Sequence, residues 1–246
     1  MTTLIRAALA AAVLTAPLAA FASAFGVTPI RVDLDPGSRT AIVNVTNDET
    51  RRLYFQVKLV RWTQDPATGE DRYEDSGELV YFPQLLVVEP KERRIIRVGL
   101  KGPAPATERA FRLFIEELPD PNDKGAIAGA QIAVRLRFGV PIFATSGKGE
   151  PRAAIVAAQA KAGEARLEIR NEGERSVRFE AITVMAGERT VARANGWYVF
   201  PGAARHFSVP VDRSACPIQG PVELHAIVGS KSIRRPLEGA NVLCGS

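Results

Sequence analysis

The sequence predicts an all-β protein built as two β-sandwich domains in tandem. Three observations carry this. Past residue 24, apolar residues almost never recur at helical spacing; they come in short alternating runs parted by Gly, Pro, Asn and Asp, the pattern of strands with one buried face. The chain is long enough to bury one large core or two smaller ones. Its two halves also echo each other. VNVTNDETRRLYFQV (43–57) aligns without gaps on LEIRNEGERSVRFEA (167–181), so that Val43, Val45, Leu53 and Phe55 fall on Leu167, Ile169, Val177 and Phe179. Asn47 falls on Asn171, each at a charged turn, where asparagine bonds local backbone and tolerates a left-handed conformation. EPKERRIIRV (89–98) parallels FPGAARHFSV (200–209), with Pro90 on Pro201. One plan used twice accounts for both echoes.

In chain order, residues 1–24 carry Arg6, a short apolar run rich in small residues, and Ala22-Ser23-Ala24. That is a secretory signal with cleavage expected after Ala24. No later stretch is long and apolar enough to span a bilayer, so the mature product is expected to be exported to the periplasm without membrane insertion. FGVTPIRVDLDPG (25–37) reads as a first strand and turn, with Phe25, Val27 and Pro29 on one face and Ile30, Val32 and Leu34 on the other. Arg31 then falls on the first face of a strand that should be buried, where a cation is costly unless paired. RTAIVNVTNDE, LYFQVKLVRW, ELVYFPQLLVVEP, RRIIRVGL, AFRLFIEELP and AQIAVRLRFGVPIF follow as strands of a first sandwich, spanning 25–146. SGKGEP (146–151) supplies a small, polar, turn-prone linker, placed at 147–151. ARLEIRNEGE, SVRFEAITVMAG, GWYVFPG, RHFSVPV and VELHAIVGS read as strands of a second sandwich, 152–246.

The composition excludes several functions. The formal charge is +5, one unit less without Arg6, and the charges are interspersed. A nucleic-acid partner would call for clustered Lys and Arg with interleaved aromatics. Cys216 and Cys244 are the two cysteines; in an oxidising compartment an even pair predicts one disulfide, worth on the order of 3 kcal/mol. No metal site is expected from two lone cysteines. Neither histidine, His206 or His225, belongs to a catalytic motif, and no G-x-S-x-G, H-E-x-x-H, P-loop or C-x-x-C is present. DPNDKG (120–125) fails as a calcium loop, because Lys124 and Gln131 stand where acidic ligands belong. Glu116 and Glu117 face opposite ways in a strand and make no acid–base pair. No enzyme and no cofactor are predicted.

The most informative stretch is GAIAGAQIAVRLRFGVPIF (125–143). Ala130, Ile132, Val134 and Leu136 alternate with Gln131, Ala133, Arg135 and Arg137. A row of apolar knobs with an available backbone ladder is what strand addition to a partner requires, although an ordinary core strand reads the same way. The arginines on the opposite face either reach solvent or line a cleft that expects an anion.

Taken in order, VTPIRVDLDPG, VNVTNDETRRLYFQV, RWTQ, LLVVEPKERRIIRVGL, AFRLFIEELP and QIAVRLRFGVPIF resemble the periplasmic chaperones of the chaperone–usher pilus pathway, above all the archaic, Csu-like branch. The resemblance implies two immunoglobulin-like β-sandwich domains in an L, and a partner that is a pilus subunit lacking its final strand. The chaperone lends a strand, then delivers the subunit to an outer-membrane usher, and uses no nucleotide. It implies that Arg31 and a second cation, Arg137 or Arg135, anchor the subunit's C-terminal carboxylate, Arg137 being favoured by the RFGVP context. A planar guanidinium suits a carboxylate. It implies donor residues Ala130, Ile132, Val134 and Leu136, and an interdomain role for Glu108, whose usual basic partner is replaced by Val140. Self-capping of the donor strand in an oligomer is a further expectation. The alternative is a secreted two-domain sandwich with a structural or carbohydrate-binding role, for which exposed aromatics in a groove would be needed.

Overall fold

The computed structural model describes residues 25–66, 68–121 and 135–244. The first ten strands are β1 (Phe25–Thr28), β2 (Val32–Leu34), β3 (Thr40–Asn47), β4 (Leu53–Gln64), β5 (Asp71–Asp75), β6 (Leu79–Phe82), β7 (Leu85–Val88), β8 (Arg93–Leu100), β9 (Arg109–Leu118) and β10 (Arg137–Ala144). They form two sheets, ordered β1-β3-β8-β6 and β2-β10-β9-β4-β5, with β7 also on β4. The inner faces interlock Val43, Val45, Ile96 and Val98 of the first sheet with Val57, Leu59, Leu113, Ile115, Val140 and Ile142 of the second. The strands after them are β11 (Ala153–Lys161), β12 (Glu164–Asn171), β13 (Val177–Arg178), β14 (Ala181–Ala186), β15 (Arg189–Asn195), β16 (Tyr198–Val199), β17 (Ala204–Pro210), β18 (Val222–Val228) and β19 (Lys231–Pro236). Sheets β11-β12-β17 and β15-β14-β18-β19 enclose a second core of Ile155, Leu167, Ile169, Val184, Phe207 and Leu224. The protein is a two-domain all-β chain.

The opening segment departs from the single strand the sequence predicts. It breaks after Thr28, and β1 and β2 belong to opposite sheets: β1 pairs antiparallel with β3, while β2 runs parallel to the end of β10. Crossing between sheets reverses which side faces the core, so Val27, Val32 and Leu34 are all buried and Ile30, in the crossover, is 66% exposed. Arg31 is therefore not in a buried strand. ELVYFPQLLVVEP likewise divides at Pro83 into β6, on β8, and β7, on β4; a proline has no N–H to continue either ladder. DRYED, RTVARAN and KSIRRP form edge strands that alternation did not reveal.

The internal echo extends to individual bonds. Asn47 and Asn171 are fully buried. Asn47 donates to the carbonyls of Arg51 and Val88 and accepts from the Glu49 amide. Asn171 donates to the carbonyls of Arg175 and Val199 and accepts from the Gly173 amide, the two turn partners standing at the same offsets of four and two residues. Beyond the aligned prolines, Lys91 and Gly202 both hold positive φ, 61° and 72°. Cys216 and Cys244 are bonded, tying the 3-10 turn Ala240–Cys244 to the chain beside the turn Arg213–Ala215.

Burial along β4 and β10 locates the joint between the sandwiches. β4 alternates up to Leu59, and then Val60 and Trp62 on its other face are buried as well. Five consecutive residues of β10, Val140–Ala144, are buried. Two-sided burial means that a second layer covers the outer face of the sheet there. That layer is Trp197, Tyr198, Phe200 and Ala203, packed on Trp62, Ala110 and Phe143.

Candidate functional site

The outer face of the β2-β10-β9-β4-β5 sheet is a grid set by register. Phe143 faces Ala110, which faces Trp62, which faces Tyr73. The next row holds Pro141, Arg112 and Val60, the one after it Gly139, Phe114 and Lys58, and the last Arg137, Glu116 and Gln56. Extending the parallel pairing of β2 with β10 by one residue puts Arg31 beside Pro141. The second domain packs on the Trp62 row and reaches Arg112 of the next through Trp197; the two rows beyond are half-buried or exposed and form an open wall.

Arg31 stands at that wall. Its guanidinium lies 4.3 Å from the Phe143 ring centroid. Nε donates to Asp33 Oδ2 at 2.9 Å, and Nη2 to Asp33 Oδ1 at 2.7 Å. The hydrogen bond to Asp33 holds the Arg31 pKa above its ordinary value, against the opposing effect of burial, so the cation is permanent. Asp33 takes the side edge of the planar fork, and among the described residues nothing bonds the end edge, formed by Nη1 and the second Nη2 proton. The burial question raised by the sequence is thus answered by a half-exposed cation stacked on an aromatic floor and held by a neighbour two residues away.

Arg137 opens β10, with its guanidinium 3.8 Å from the Phe114 centroid and Nε 3.5 Å from Glu116. Arg135 precedes the strand and is exposed. Ala130, Ile132 and Val134 lie outside the described residues. Leu136 is described: its carbonyl accepts the Glu117 amide at 3.0 Å, continuing the ladder with β9, and its side chain is 37% exposed. Phe138, two residues on and equally exposed, continues the same apolar row toward Val140. The alternation read from sequence stopped at Leu136; FGVPIF could have extended it.

The backbone of β10 has an open side. β10 pairs with β9 throughout, but with β2 only through Ile142–Ala144. From Arg137 to Pro141 the other edge has no partner among the described residues. An unpaired edge flanked by exposed apolar side chains is a template for strand addition.

Glu108 bridges the sandwiches. Its buried carboxylate accepts the Ser176 amide at 2.8 Å and approaches Arg175 Nε at 3.7 Å, while its own amide donates to the Glu174 carbonyl. The second domain's β12–β13 turn thus takes the place of the basic partner before Pro141; Val140 points into the first core. The opposite rim of the joint has a polar clamp that the sequence did not disclose. Trp197 Nε1 and Arg205 both donate to Asp71, Gln64 bonds the Tyr198 carbonyl and the Phe200 amide, and Arg205 reaches the Gly69 carbonyl. Gly69 has φ 72°, and a Cβ there would lie 2.6 Å from the Ala204 carbonyl, so the β4–β5 loop meets β17 only through glycine. Among the described residues no group of three or more His, Cys, Asp or Glu is placed to hold a metal.

Residues 24–144 match the family model described as pili and flagellar-assembly chaperone, PapD N-terminal domain. Among solved structures, a chain of the CsuC–CsuE chaperone–tip adhesion subunit pre-assembly complex, from archaic chaperone–usher Csu pili of Acinetobacter baumannii, matches with TM-score 0.62 at 18% identity, covering 87% of this chain and 98% of that one. The Salmonella enterica SafA pilin–SafB chaperone complex matches with TM-score 0.56 at 15% identity, over 89% and 99% of the two chains. The Pseudomonas aeruginosa CupB2 chaperone matches with TM-score 0.53 at 17% identity, over 84% and 97%. At these identities the likeness to solved structures establishes the fold. No curated protein matches.

Proposed function

Through its first domain the chain belongs to the pili and flagellar-assembly chaperones, and on that premise we propose that it is a periplasmic chaperone that captures pilus subunits by lending them a strand. The observation that carries this is the open edge of β10 from Arg137 to Pro141, with Leu136 and Phe138 exposed on one face. A subunit whose sandwich lacks its last strand presents the complementary features, an unpaired ladder and an apolar slot. Pairing supplies backbone hydrogen bonds, and the alternating side chains fill pockets. Segment 130–136 extends the same row and is part of the proposed donor strand. Arg31 receives the subunit's terminal carboxylate on the free edge of its guanidinium, with a second cation, Arg137 or Arg135 by family resemblance, completing the anchor.

The protein acts by binding alone, without cofactor. The domains are taken as 25–146 and 152–246, because the first core ends at Ala144 and the second begins at Ile155. Export rests on the signal-like segment 1–24, release at an outer-membrane usher on the family, and self-capping by a second copy on the open edge. Trp62, Phe143 and Phe200 are buried in the joint rather than arrayed in a sugar-binding groove.

Co-expression with a candidate pilus subunit and co-purification from periplasm tests the reading. Wild-type protein should yield a stable one-to-one complex. Phe138→Asp and Arg31→Ala, each folded by circular dichroism, should lose it. Undiminished capture by both variants would show that neither the β10 edge nor the cleft cation holds the client.

A further inference from the structure

The plan that gives the first sandwich its open edge is used a second time. Sheet β15-β14-β18-β19 repeats the order β5-β4-β9-β10, so β19 stands where β10 stands. On one side β19 pairs with β18 from Lys231 to Pro236. On the other, the first backbone contact comes at Glu238, which bridges in parallel to Gln159, much as β2 runs parallel to the end of β10. From Lys231 to Arg235 that edge has no backbone partner among the described residues. The Arg235 side chain crosses to the Ile155 carbonyl at 2.7 Å and leaves the Lys231–Arg234 stretch clear.

The two edges differ in chemistry. β10 offers exposed Leu136 and Phe138, whereas β19 reads KSIRRP, with Lys231 and Arg234 exposed. On the outer face Arg193, Thr183, His225 and Arg234 fall in one row across four strands. The carboxylate that shares this face, Glu223, bonds His225 at 3.1 Å. Among the described residues Arg193, Lys231, Arg234 and Arg235 form no ion pair, although Arg166, Arg170, Arg175 and Arg205 of the same domain each have a carboxylate. A cationic edge repels a second copy of itself, and it selects a strand of opposite charge.

We propose that β19 is a docking edge for an acidic, extended segment of a partner protein, in which carboxylates alternate with apolar residues. The proposal goes beyond the strand-lending reading and does not depend on it. A strand added at the ladder spacing places alternate side chains beside Ser232 and Arg234, about 7 Å apart on the outer face. Its other side chains lie against Ile233, which is half-buried on the second core. Backbone pairing supplies affinity there, and the unpaired cations supply selection and speed of encounter. Because β10 and β19 belong to different sandwiches, such a partner can bind while a client occupies β10.

The test uses short synthetic peptides, acetylated and amidated so that no terminal carboxylate is present. One alternates Glu with Val, one alternates Lys with Val, and a third is the acidic peptide N-methylated at alternate residues to block the ladder. Calorimetry on the purified mature protein should show one-to-one binding of the unmodified acidic peptide alone. Raising the salt to about 0.5 M should weaken it about tenfold. Arg234→Glu, folded by circular dichroism, should weaken it about tenfold or more, and Phe138→Asp should leave it unchanged. Equal binding of the N-methylated peptide would reduce β19 to a charged patch and overturn the proposal. So would loss of binding in Phe138→Asp but not in Arg234→Glu, which would put the peptide on β10. No binding of the acidic peptide at low salt would overturn it too; if phosphatidylglycerol vesicles then bound wild type but not Arg234→Glu, the face would belong to a membrane surface. None of these outcomes bears on capture of a pilus subunit through β10, which the co-purification above tests separately.

Discussion

Replacing either of the paired asparagines by alanine should destabilise its own domain, and Asn171 should cost more than Asn47. Asn47 makes three hydrogen bonds: to the Arg51 carbonyl at 2.8 Å, to the Val88 carbonyl at 2.9 Å and from the Glu49 amide at 2.8 Å. Asn171 makes the equivalent three, at 2.7, 3.0 and 3.0 Å, and also accepts the Arg152 amide at 3.2 Å. Each bond contributes about 1 kcal/mol net, and a buried group left without its partner costs about 1–3 kcal/mol. Val88 and Val199 are fully buried, so their carbonyls are stranded, whereas the turn residues regain water. The expected losses are about 3 kcal/mol for Asn47→Ala and about 4 kcal/mol for Asn171→Ala. Because two domains need not unfold together, native-state hydrogen exchange is the proper assay. Protection should fall in β3 and β8 for Asn47→Ala and in β12 and β17 for Asn171→Ala. A loss below about 1 kcal/mol in both, or one spread evenly over the two domains, would refute the view that each asparagine pins its own turn.

The other expectations concern the joint, the anchor and the staple. Glu108→Gln weakens a charge-assisted bond to the Ser176 amide and removes the attraction to Arg175; calorimetry should record a loss of about 1–2 kcal/mol, and solution scattering a wider spread of interdomain angles. Asp33→Ala frees the Arg31 fork; since both groups are half exposed, stability should hardly change, but capture of a pilus subunit in co-purification should weaken, and stronger capture would mean that Asp33 competes with the client rather than orienting Arg31. Substituting both cysteines by serine opens a loop with sequence separation 28 and should cost the second domain about 3.5 kcal/mol, leaving hydrogen exchange in the first domain unchanged. At Glu78, burial alone would raise the carboxyl pKa, but hydrogen bonds and charge from Arg109 and Arg61 outweigh it and hold the group below its ordinary value. Its contribution is therefore complete above the unfolded glutamate pKa and is lost as pH falls through the folded one, so Glu78→Gln should flatten the acid limb of the stability profile.

Features governed by local periodicity were legible in the sequence. Alternation located most strands, and the gapless alignment of 43–57 on 167–181 located the two asparagine turns. Alternation fails where burial is decided by something far along the chain. Trp62 and Phe143 are buried because Tyr198 and Phe200 cover them, and no window around residue 62 contains that information. The crossover at Arg31 was hidden for a related reason: the period is two on both sides of Pro29, and only the change of sheet alters which residues face the core. The placement of Arg112 against Trp62 and Trp197 was missed because a lone arginine in an alternating strand reads as a solvated face. The signal lay across the ladder, in the glycine of RFGVP whose missing side chain makes room for the guanidinium.

The joint and the proposed anchor depend on the same residues. Arg31 stacks on Phe143, whose ring centroid lies 5.3 Å from that of Tyr198 and 6.3 Å from that of Phe200, both of the second sandwich. A change in the angle between the domains would move Tyr198 and Phe200 relative to Phe143 and disturb the aromatic floor under the Arg31 guanidinium. The clamp of Asp71, Gln64, Arg205 and Trp197 and the Glu108 bridge hold that angle from opposite rims. Carboxylate affinity should therefore be coupled to domain orientation, and each should stabilise the other by the same free energy. A bound client would stiffen the joint, and any contact that bends the joint would loosen the client's end. That coupling offers a way to release a client without nucleotide or covalent chemistry: a contact that changes the interdomain angle weakens the anchor first, and the lent strand can then be displaced along its open edge.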